Sequence, residues 1–475
     1  MTTAIPAEIT TPDVVQTRLG AMKFFDGYPD PQTTQLVYDN LDFQRGVQTF
    51  LTCIPGASCV ALRHAFRELG PDNETVVLFE TLMDSKGLFL TGNTESVYGW
   101  GWLNLKDGPM VLETPPRVLG MVDDFWFRNV VEFGNAGPDQ GKGGKFLIIP
   151  PGWKGDIPEG YFVAHSPTIN NLYLFRGFLV DGSPKPAAGA IKQIFKIYPL
   201  GKDASASKVR FVNGSGRTMN TVHANNYHFY EEVDQIVQEE PNSATDPETL
   251  GLLAAIGMEK GKPFAPDARM KKILVDAAAV GNATSRAISF EARGKDFYLY
   301  PNSAWNNPLA IPKATHRFDR DDGLRLHDMR TYMFYYATGN TPAMILKRVG
   351  VGSQYAIAFK DSKGQRLDGA QTYKLHLPPN IPAKDFWSVV VYDNQTRSML
   401  QTDQQFPSMG SQNKGVVINP DTSADIYFGP TPPAGKASNW VQTVPGKGWN
   451  IILRMYGPLE PWFEKTWRPG EIEKI

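Results

Sequence analysis

The stretch from Phe386 to Tyr392, Phe-Trp-Ser-Val-Val-Val-Tyr, decides the fold of the C-terminal third of the chain. β-branched and aromatic residues favour an extended strand, and alternate residues of a strand point to opposite faces of its sheet. The stretch from Trp449 to Tyr456 has the same character. Together they predict a C-terminal β-sandwich module over residues 346–475. The predicted core residues are Trp387, Val389, Val391 and Ile451.

The same strand signal occurs upstream, over residues 71–182. Short apolar runs such as Thr75–Phe79 and Lys145–Ile149 are separated by turns rich in Gly, Pro, Asn and Asp. This pattern is typical of an antiparallel sandwich or barrel. We therefore predict a first β module in this region.

The segments outside these two regions carry apolar residues at helical spacing. In residues 1–70, Val15, Leu19 and Met22 have the spacing of one helix face, so we predict a helix that begins near Pro12. Residues 183–345 contain further helical patterns, at 187–198, 225–239, 266–277 and 329–336. The whole chain is predicted to have a mainly β fold with helical insertions. This is a multidomain α+β protein in which two antiparallel β-sandwich-like modules are joined by a helical region.

The composition excludes several classes of function. The chain has 475 residues, of which 41% are hydrophobic and 20% charged, and its formal net charge is −1. A near-neutral chain has no general attraction for nucleic acid or for an anionic membrane surface. No apolar run reaches the roughly 18 residues needed to span a bilayer. We expect a soluble protein, cytoplasmic as written and exported only if a signal peptide was removed. A homo-oligomer remains an open alternative.

The sequence contains two cysteines, Cys53 and Cys59. Their spacing is compatible with a small disulfide loop or with two free thiols. A disulfide scaffold has far more cysteine than this chain, so two free thiols near a helix are the favoured interpretation.

Motifs for nucleotide binding and for the best-known hydrolytic mechanisms are absent from the sequence. There is no G-x-S-x-G, no G-x-x-x-x-G-K-[ST] and no H-E-x-x-H. The glycine-rich run Gly141–Gly144 precedes a predicted strand, so no helix N-terminus would face a phosphate group there. We expect no nucleotide cofactor.

His228, Glu231 and Glu232 form the most promising catalytic group. On a helix that begins near residue 225, His228 and Glu232 lie one turn apart, with Glu231 beside them. An imidazole and a carboxylate at this spacing can act as an acid/base pair. His223 and His228 are also candidate ligands of one divalent metal ion. The competing interpretation is a solvated polar flank beside the apolar face of the same helix.

The run Tyr98–Trp102, Tyr-Gly-Trp-Gly-Trp, places three aromatic rings on one face of a predicted strand. Such a face is either a buried core or a surface on which a ligand ring stacks, and the intervening glycines would let a flat ligand approach the backbone. Asn93 and Glu95 precede this strand and Arg176 lies on a later one, so these residues could supply polar groups at the same site. The predicted substrate-binding residues are Asn93, Tyr98, Trp100 and Arg176.

Two sets of residues resemble known families. The runs Thr91–Tyr98, Trp102–Pro109 and Gly141–Gly152 resemble the N-terminal module called domain of unknown function 1254, although Glu95 stands where this family often has an aspartate. The C-terminal third resembles its frequent tandem companion, domain of unknown function 1214. The residues that match the second family are Asp385–Ser388, Tyr392–Asp393, Gly429–Pro430, Asn439–Trp440, Arg454–Pro458 and Trp467–Pro469. The resemblance implies two β-sandwich-like modules with helices between them, and it implies almost nothing about activity.

Two classes of function are consistent with these features. The first is an enzyme, a hydrolase or lyase, that acts on a small or medium organic substrate in a cleft between the modules. A divalent metal ion is a candidate cofactor of such an enzyme. The second is a non-catalytic protein that binds a glycan or assembles with a partner subunit. The absence of a known catalytic signature favours the second class, and the aromatic and histidine residues near the predicted loops favour the first.

Overall fold

The computed structural model describes residues 2–307, 309 and 315–475, and within these residues the fold is mainly β with helical insertions. The strands are β1 (Val14–Thr17), β2 (Gly20–Phe25), β3 (Tyr28–Pro29), β4 (Thr75–Leu78), β5 (Gly87–Leu88), β6 (Ser96–Asn104), β7 (Met110–Thr114), β8 (Val118–Asp124), β9 (Asn129–Gly134), β10 (Gly144–Ile149), β11 (Phe162–His165), β12 (Asn170–Phe178), β13 (Lys196–Pro199), β14 (Arg210–Asn213), β15 (Met219–Asn220), β16 (Ser353–Ala358), β17 (Tyr373–Leu377), β18 (Ala383–Asp393), β19 (Ser408–Gly410), β20 (Ala424–Gly429), β21 (Trp440–Gln442), β22 (Trp449–Pro458) and β23 (Ile472–Lys474). The helices are α1 (Pro31–Arg67), α2 (Lys185–Ile194), α3 (His228–Glu239), α4 (Pro247–Ala254), α5 (Ala268–Phe290), α6 (His327–Tyr336), α7 (Pro342–Ile345) and α8 (Glu460–Phe463).

The first β module contains two sheets with a shared core. A six-stranded sheet has the order β14-β4-β6-β12-β8-β9, and a four-stranded sheet has the order β11-β10-β7-β13. Val97 and Phe175 of the first sheet and Phe146 and Ile148 of the second are fully buried in one cluster. The two inner faces therefore pack on each other, as in a sandwich.

The predicted boundary of this module at residue 182 is too early. The chain forms α2 and then returns as β13 and β14, which pair with β7 and β4. The predicted helix over residues 187–198 is correct only as far as Ile194. Phe195 and Ile197 are buried in the core of this module, and this burial favours the extended conformation after Ile194.

The C-terminal sandwich is confirmed. One sheet has the order β16-β22-β18-β19 and the other the order β21-β20-β17-β23. The four predicted core residues are buried in the cluster between them, with Trp387 5% exposed and the other three at 0%. The prediction of antiparallel sheets holds for most strand pairs, but β10–β11, β4–β14, β5–β15 and β20–β21 are parallel.

A helical layer lies against the outer faces of both modules. α1 begins at the N-cap Asp30, whose carboxylate accepts a 2.7 Å hydrogen bond from the Thr33 amide. α1 packs against α3, α5 and α6. Its buried residues share one cluster with Trp100 of the first module and Ile452 of the second, so this layer connects the two modules.

The predicted helix near Pro12 is wrong. Residues 14–29 form an antiparallel meander of β1, β2 and β3. Val15 and Met22 face each other across β1 and β2 in register, so their spacing satisfies a hairpin as well as a helix. Gly20 has a φ of +107°, a left-handed conformation that favours the turn.

The structure also bears on the two cysteines and on membrane-spanning helices. Cys53 and Cys59 are both buried in α1 as free thiols. Burial raises the pKa of the Cys53 thiol to about 12. Among the described residues, no helix combines the length and the apolar character needed to cross a lipid bilayer.

Candidate functional site

A cavity of about 100 Å³ lies between the outer faces of the two modules. β6, β8 and β12 form its wall on one side, β16 and β22 form the opposite wall, and the C-terminal end of α6 closes it. The structure brings all four predicted substrate-binding residues to this cavity. They are Asn93, Tyr98, Trp100 and Arg176. Their role in binding stays a prediction.

The aromatic rings of β6 do not belong to the sandwich core. Tyr98 and Trp100 point away from that core, towards the cavity and the helical layer. The glycines between them face the core instead, where a methyl group on Gly99 would overlap the ring of Phe175 and one on Gly101 would overlap Tyr173. The glycines are therefore required by cross-strand aromatic rings, and the prediction that they admit a ligand to the backbone is wrong.

The side chain of Asn93 orients the hydroxyl of Tyr98. Asn93 Oδ1 accepts hydrogen bonds from the Glu95 amide (3.1 Å) and from Ser96 Oγ (3.0 Å), so its amide nitrogen must face the other way. Asn93 Nδ2 then donates to Tyr98 Oη over 2.6 Å. Since Tyr98 Oη accepts this bond, its own proton can be donated to a ligand. Burial raises the pKa of Tyr98, which keeps the phenol protonated at neutral pH.

Arg454 is a cation almost fully removed from solvent, with 3% of its surface exposed. Its Nη2 donates a 2.7 Å hydrogen bond to the carbonyl of Thr91 in the first module. Its Nη1 is buried and has no hydrogen-bond partner among the residues that the structure describes. The guanidinium also lies 6.0 Å from the ring centre of Tyr355 and 5.7 Å from that of Tyr392.

Arg176 faces the same cavity from the first module. It is partly buried, its guanidinium lies 5.9 Å from the ring centre of Tyr456, and its Nη1 makes a long 3.4 Å contact with Ser353 Oγ. Within the described part of the chain, neither Arg176 nor Arg454 has a carboxylate within ion-pair distance. The cavity therefore holds two positive charges that lack a paired anion.

Glu95 is the carboxyl group close behind this wall. It is 5% exposed, and its Oε2 accepts a 3.2 Å hydrogen bond from the Thr94 amide. The hydroxyl of Thr94 donates to its Oε1 and lies 2.7 Å from Ser408 Oγ of the second module. Burial raises the pKa of Glu95, while the charge of Arg454 opposes that increase.

The predicted catalytic group lies elsewhere. His228 Nδ1 is 2.5 Å from Glu231 Oε2 in the first turn of α3, but 71% and 49% of these side chains are exposed to solvent. Glu232 is partly buried and accepts hydrogen bonds from the Ala224 amide (3.1 Å to each oxygen). Burial raises the pKa of Glu232 to about 8. None of these residues lines the cavity between the modules.

His223 does not form a metal site with His228. It is buried among aromatic rings, with ring centres 6.4 Å from Phe50 and 5.8 Å from Phe229. Its Nδ1 donates to the Ala224 carbonyl over 2.9 Å and its Nε2 faces Arg397, whereas His228 is on the solvent side of α3. No group of three or more His, Cys, Asp or Glu side chains in the described ranges could hold a metal ion. The prediction from His223 and His228 thus has no geometric support.

The sequence reasoning missed Arg454 and Tyr355 as site residues. Arg454 is the one charged residue in the apolar run Trp449–Tyr456. A lone arginine on the outward face of a buried strand was the signal that could have identified it. Tyr355 carried no such signal, because a tyrosine is ordinary in a strand.

Two family models match parts of the chain. The family model described as protein of unknown function (DUF1254) matches residues 73–199, and that described as protein of unknown function (DUF1214) matches residues 352–460. The two matches lie in tandem, the first N-terminal to the second. No curated protein matches the chain in sequence.

A solved structure shares the fold. The crystal structure of the VPA0106 protein from Vibrio parahaemolyticus is 19% identical, with a TM-score of 0.55, and the match covers 92% of this chain and 100% of that one. An uncharacterized protein from Burkholderia cenocepacia is 12% identical, with a TM-score of 0.39, over 93% of this chain and 96% of that one. The first match extends the common fold over both modules.

Proposed function

We propose that the protein is an enzyme that acts on a small organic acid in the cavity between the two β modules. The observation that carries this proposal is the pair Arg176 and Arg454, which face one small cavity from opposite modules without a carboxylate partner in the described ranges. A buried cation is costly unless an anion compensates it. The acidic group of a ligand would supply that anion.

The remaining donors at the cavity suit a carboxylate. A guanidinium binds a carboxylate through two parallel hydrogen bonds, and such charge-assisted bonds are about twice as strong as neutral ones. Tyr98 adds a phenol whose proton is free to be donated. Two positive charges repel a divalent cation, so the chemistry of this donor set argues against metal assistance at this cavity.

Tyr98 is the candidate proton donor. A phenol held by Asn93 next to a guanidinium can donate a hydrogen bond to an oxygen that gains negative charge during the reaction. Hydrolases and lyases that act on acids both develop such an oxygen, so both classes remain within the proposal. A glycan platform is less well supported, because only 7% of Tyr98 and 4% of Trp100 is exposed.

Ligand-induced thermal stabilisation tests the proposal. Short monocarboxylic acids at a hundredfold excess over Kd should raise the Tm of the wild-type protein by about 2–3 °C, because a ligand that binds only the folded state stabilises it. The neutral amides of the same acids should have no effect. Arg176→Gln should lose the response, and the exposed, remote Arg217→Gln should keep it. A wild-type protein that no acid stabilises, or that amides stabilise equally, would refute the proposal.

Turnover is tested on the acids that bind. Each acid is incubated with the protein and followed by NMR for a product. Tyr98→Phe should keep the thermal shift and lose turnover by roughly 100-fold or more, since a phenylalanine fills the same space without a proton to donate. Equal turnover in Tyr98→Phe and the wild type would show that Tyr98 is not the proton donor. If none of the acids that bind gives a product, the proposal of an enzyme is refuted and only binding of an acid remains.

A further inference from the structure

The strand register divides the wall of the first module into two rows. Tyr98, Arg176 and Leu119 are neighbours across β6, β12 and β8. The next row on the same face, two residues further along the strands, is Trp100, Leu174 and Met121. Two residues of a strand span roughly 6.6 Å. This wall therefore changes from mainly polar to apolar over that distance.

The opposite wall has the same division. Tyr355, Arg454 and Ser388 are neighbours across β16, β22 and β18, and the next row on that face is Ile357, Ile452 and Val390. The Arg176 guanidinium lies 5.9 Å from the ring centre of Tyr456, and its Nη1 lies 3.4 Å from Ser353 Oγ. Ser353 and Tyr456 are paired two residues along the strands from Tyr355 and Arg454. The two polar rows therefore face each other across the cavity.

The apolar rows are closed by α6 and the segment that follows it. Met333 and Tyr336 of α6 line the cavity, and a methyl group at Gly339 would overlap the side chain of Met121. Glu132 is a charged residue next to Met121, in the apolar row of the first module. Its Oε1 already accepts a 2.8 Å hydrogen bond from the Ala343 amide, and its Oε2 pairs with Arg348 at 3.1 Å.

We infer that the cavity selects a short monocarboxylic acid with an apolar tail, and that Leu174 and its row set the tail length. The carboxylate lies between Arg176 and Arg454, and the tail points towards Trp100, Leu174 and Ile452. This inference rests on the proposed function and names its substrate class. An apolar cavity of about 150 Å³ is large enough to bind benzene, so one of about 100 Å³ takes roughly four to six non-hydrogen atoms in all, that is, a carboxylate with a tail of about one to three carbons.

A chain-length series measured by thermal shift tests this inference. The probes are acetate, butyrate, hexanoate and octanoate, together with the dicarboxylate succinate. All acids are used at one fixed concentration, a hundredfold above the Kd of butyrate. The Tm shift should then be largest for butyrate, at about 2–3 °C, and undetectable for octanoate and succinate. Octanoate is too long, and the second charge of succinate would have to enter the apolar row without a partner.

Variants on one strand provide the matched comparison. Leu174→Ala enlarges the apolar end and should move the optimum to a longer acid, by about two carbons. Leu172→Ala makes the same truncation on the same face of β12 at a residue outside the cavity wall, and it should leave the optimum unchanged. If the optimum changes only in Leu174→Ala, a general loss of stability caused by truncating a leucine of β12 cannot explain the change.

The outcomes separate the two proposals. Equal shifts for all chain lengths, or a shift for succinate as large as that for butyrate, would overturn the tail selection while leaving the acid site intact. An unchanged optimum in Leu174→Ala, or the same change in Leu172→Ala, would also overturn it. A wild-type protein that responds to no acid would end both proposals.

Discussion

At the scale of single residues, the burial of His223 has a consequence for stability. Burial and the neighbouring Arg397 lower the pKa of this imidazole from 6.5 to about 3. Below pH 6.5 the unfolded chain therefore binds a proton that the folded protein does not bind until much lower pH. The free energy of unfolding should fall as the pH decreases from 6.5 towards 3.

Urea unfolding at pH 7 and pH 5 measures this effect. His223 should account for about 2 kcal/mol of the stability lost between these two values. His223→Gln retains a hydrogen-bond acceptor for Arg397 but has no imidazole to protonate. Between pH 7 and pH 5 its free energy of unfolding should therefore fall by about 2 kcal/mol less than that of the wild type. The exposed His165→Gln should behave like the wild type. An identical pH dependence in His223→Gln and the wild type would contradict the argument.

Residue type alone identified part of the candidate site. Tyr98 and Arg176 were predicted to share one site, and they are direct neighbours across β6 and β12. Arg454 was missed because its importance depends on which strand of the other module lies opposite, and a single sequence does not specify that pairing. The His228 group satisfied a local spacing, but its distance from the cavity depends on the packing of α3.

At the scale of secondary structure, β6 combines two requirements on its two faces. One face carries the cavity aromatics, and the other must leave room for the rings of β12. Gly101→Ala would push a methyl group into Tyr173 and to within 2.7 Å of the Thr75 carbonyl oxygen. We expect this substitution to lower the free energy of unfolding by about 1–3 kcal/mol, as overpacking of a core does.

Gly251→Ala is the matched control. Gly251 lies in α4, and apart from its chain neighbours and the backbone of its own helix no atom of the described residues lies within 4 Å of the added methyl group. The same change of residue should there raise the free energy of unfolding by up to about 1 kcal/mol, because alanine favours a helix more than glycine. Urea denaturation of both variants gives the comparison. Equal stability of Gly101→Ala and wild type would show that the ring of Tyr173 does not occupy the position described.

Some of the secondary structure could be predicted from the sequence alone, and some could not. Alternation in β18 and β22 predicted the C-terminal sandwich because each strand has one face in that core. β1 and β2 were mistaken for a helix, since a seven-residue separation of Val15 and Met22 fits both two helical turns and a tight hairpin. The parallel pairs were not foreseen, because pairing direction depends on connections that local sequence does not reveal.

At the scale of the whole molecule, contacts between the modules converge on residues 91–95. Tyr392 Oη donates a 2.5 Å hydrogen bond to the Gly92 carbonyl, and Arg454 donates to Thr91. With the shared helical layer, these contacts should make the two modules unfold as one unit. We expect tryptophan fluorescence and far-ultraviolet circular dichroism to report coincident transitions.

Arg454→Met tests that coupling. It leaves the Thr91 carbonyl without its charged donor, and hydrogen bonds of this kind contribute about 1.5–3 kcal/mol. The variant should unfold at lower urea concentration or in two separate steps, and it should lose stabilisation by acids. Arg468→Gln, at an ion pair that is 41% exposed on the arginine side, should keep wild-type behaviour. Two transitions in the wild type would contradict the coupling.

The cavity also has a consequence for the evolution of the gene, because both domains contribute to its lining. Tyr98 and Arg176 come from the first domain, whereas Tyr355 and Arg454 come from the second. Gene fission between the two domains would leave each product with only part of the residues that line the cavity. Either product would then need its counterpart as a separate polypeptide to rebuild the cavity. If the proposed function holds, selection would act on the fused gene as a single heritable unit.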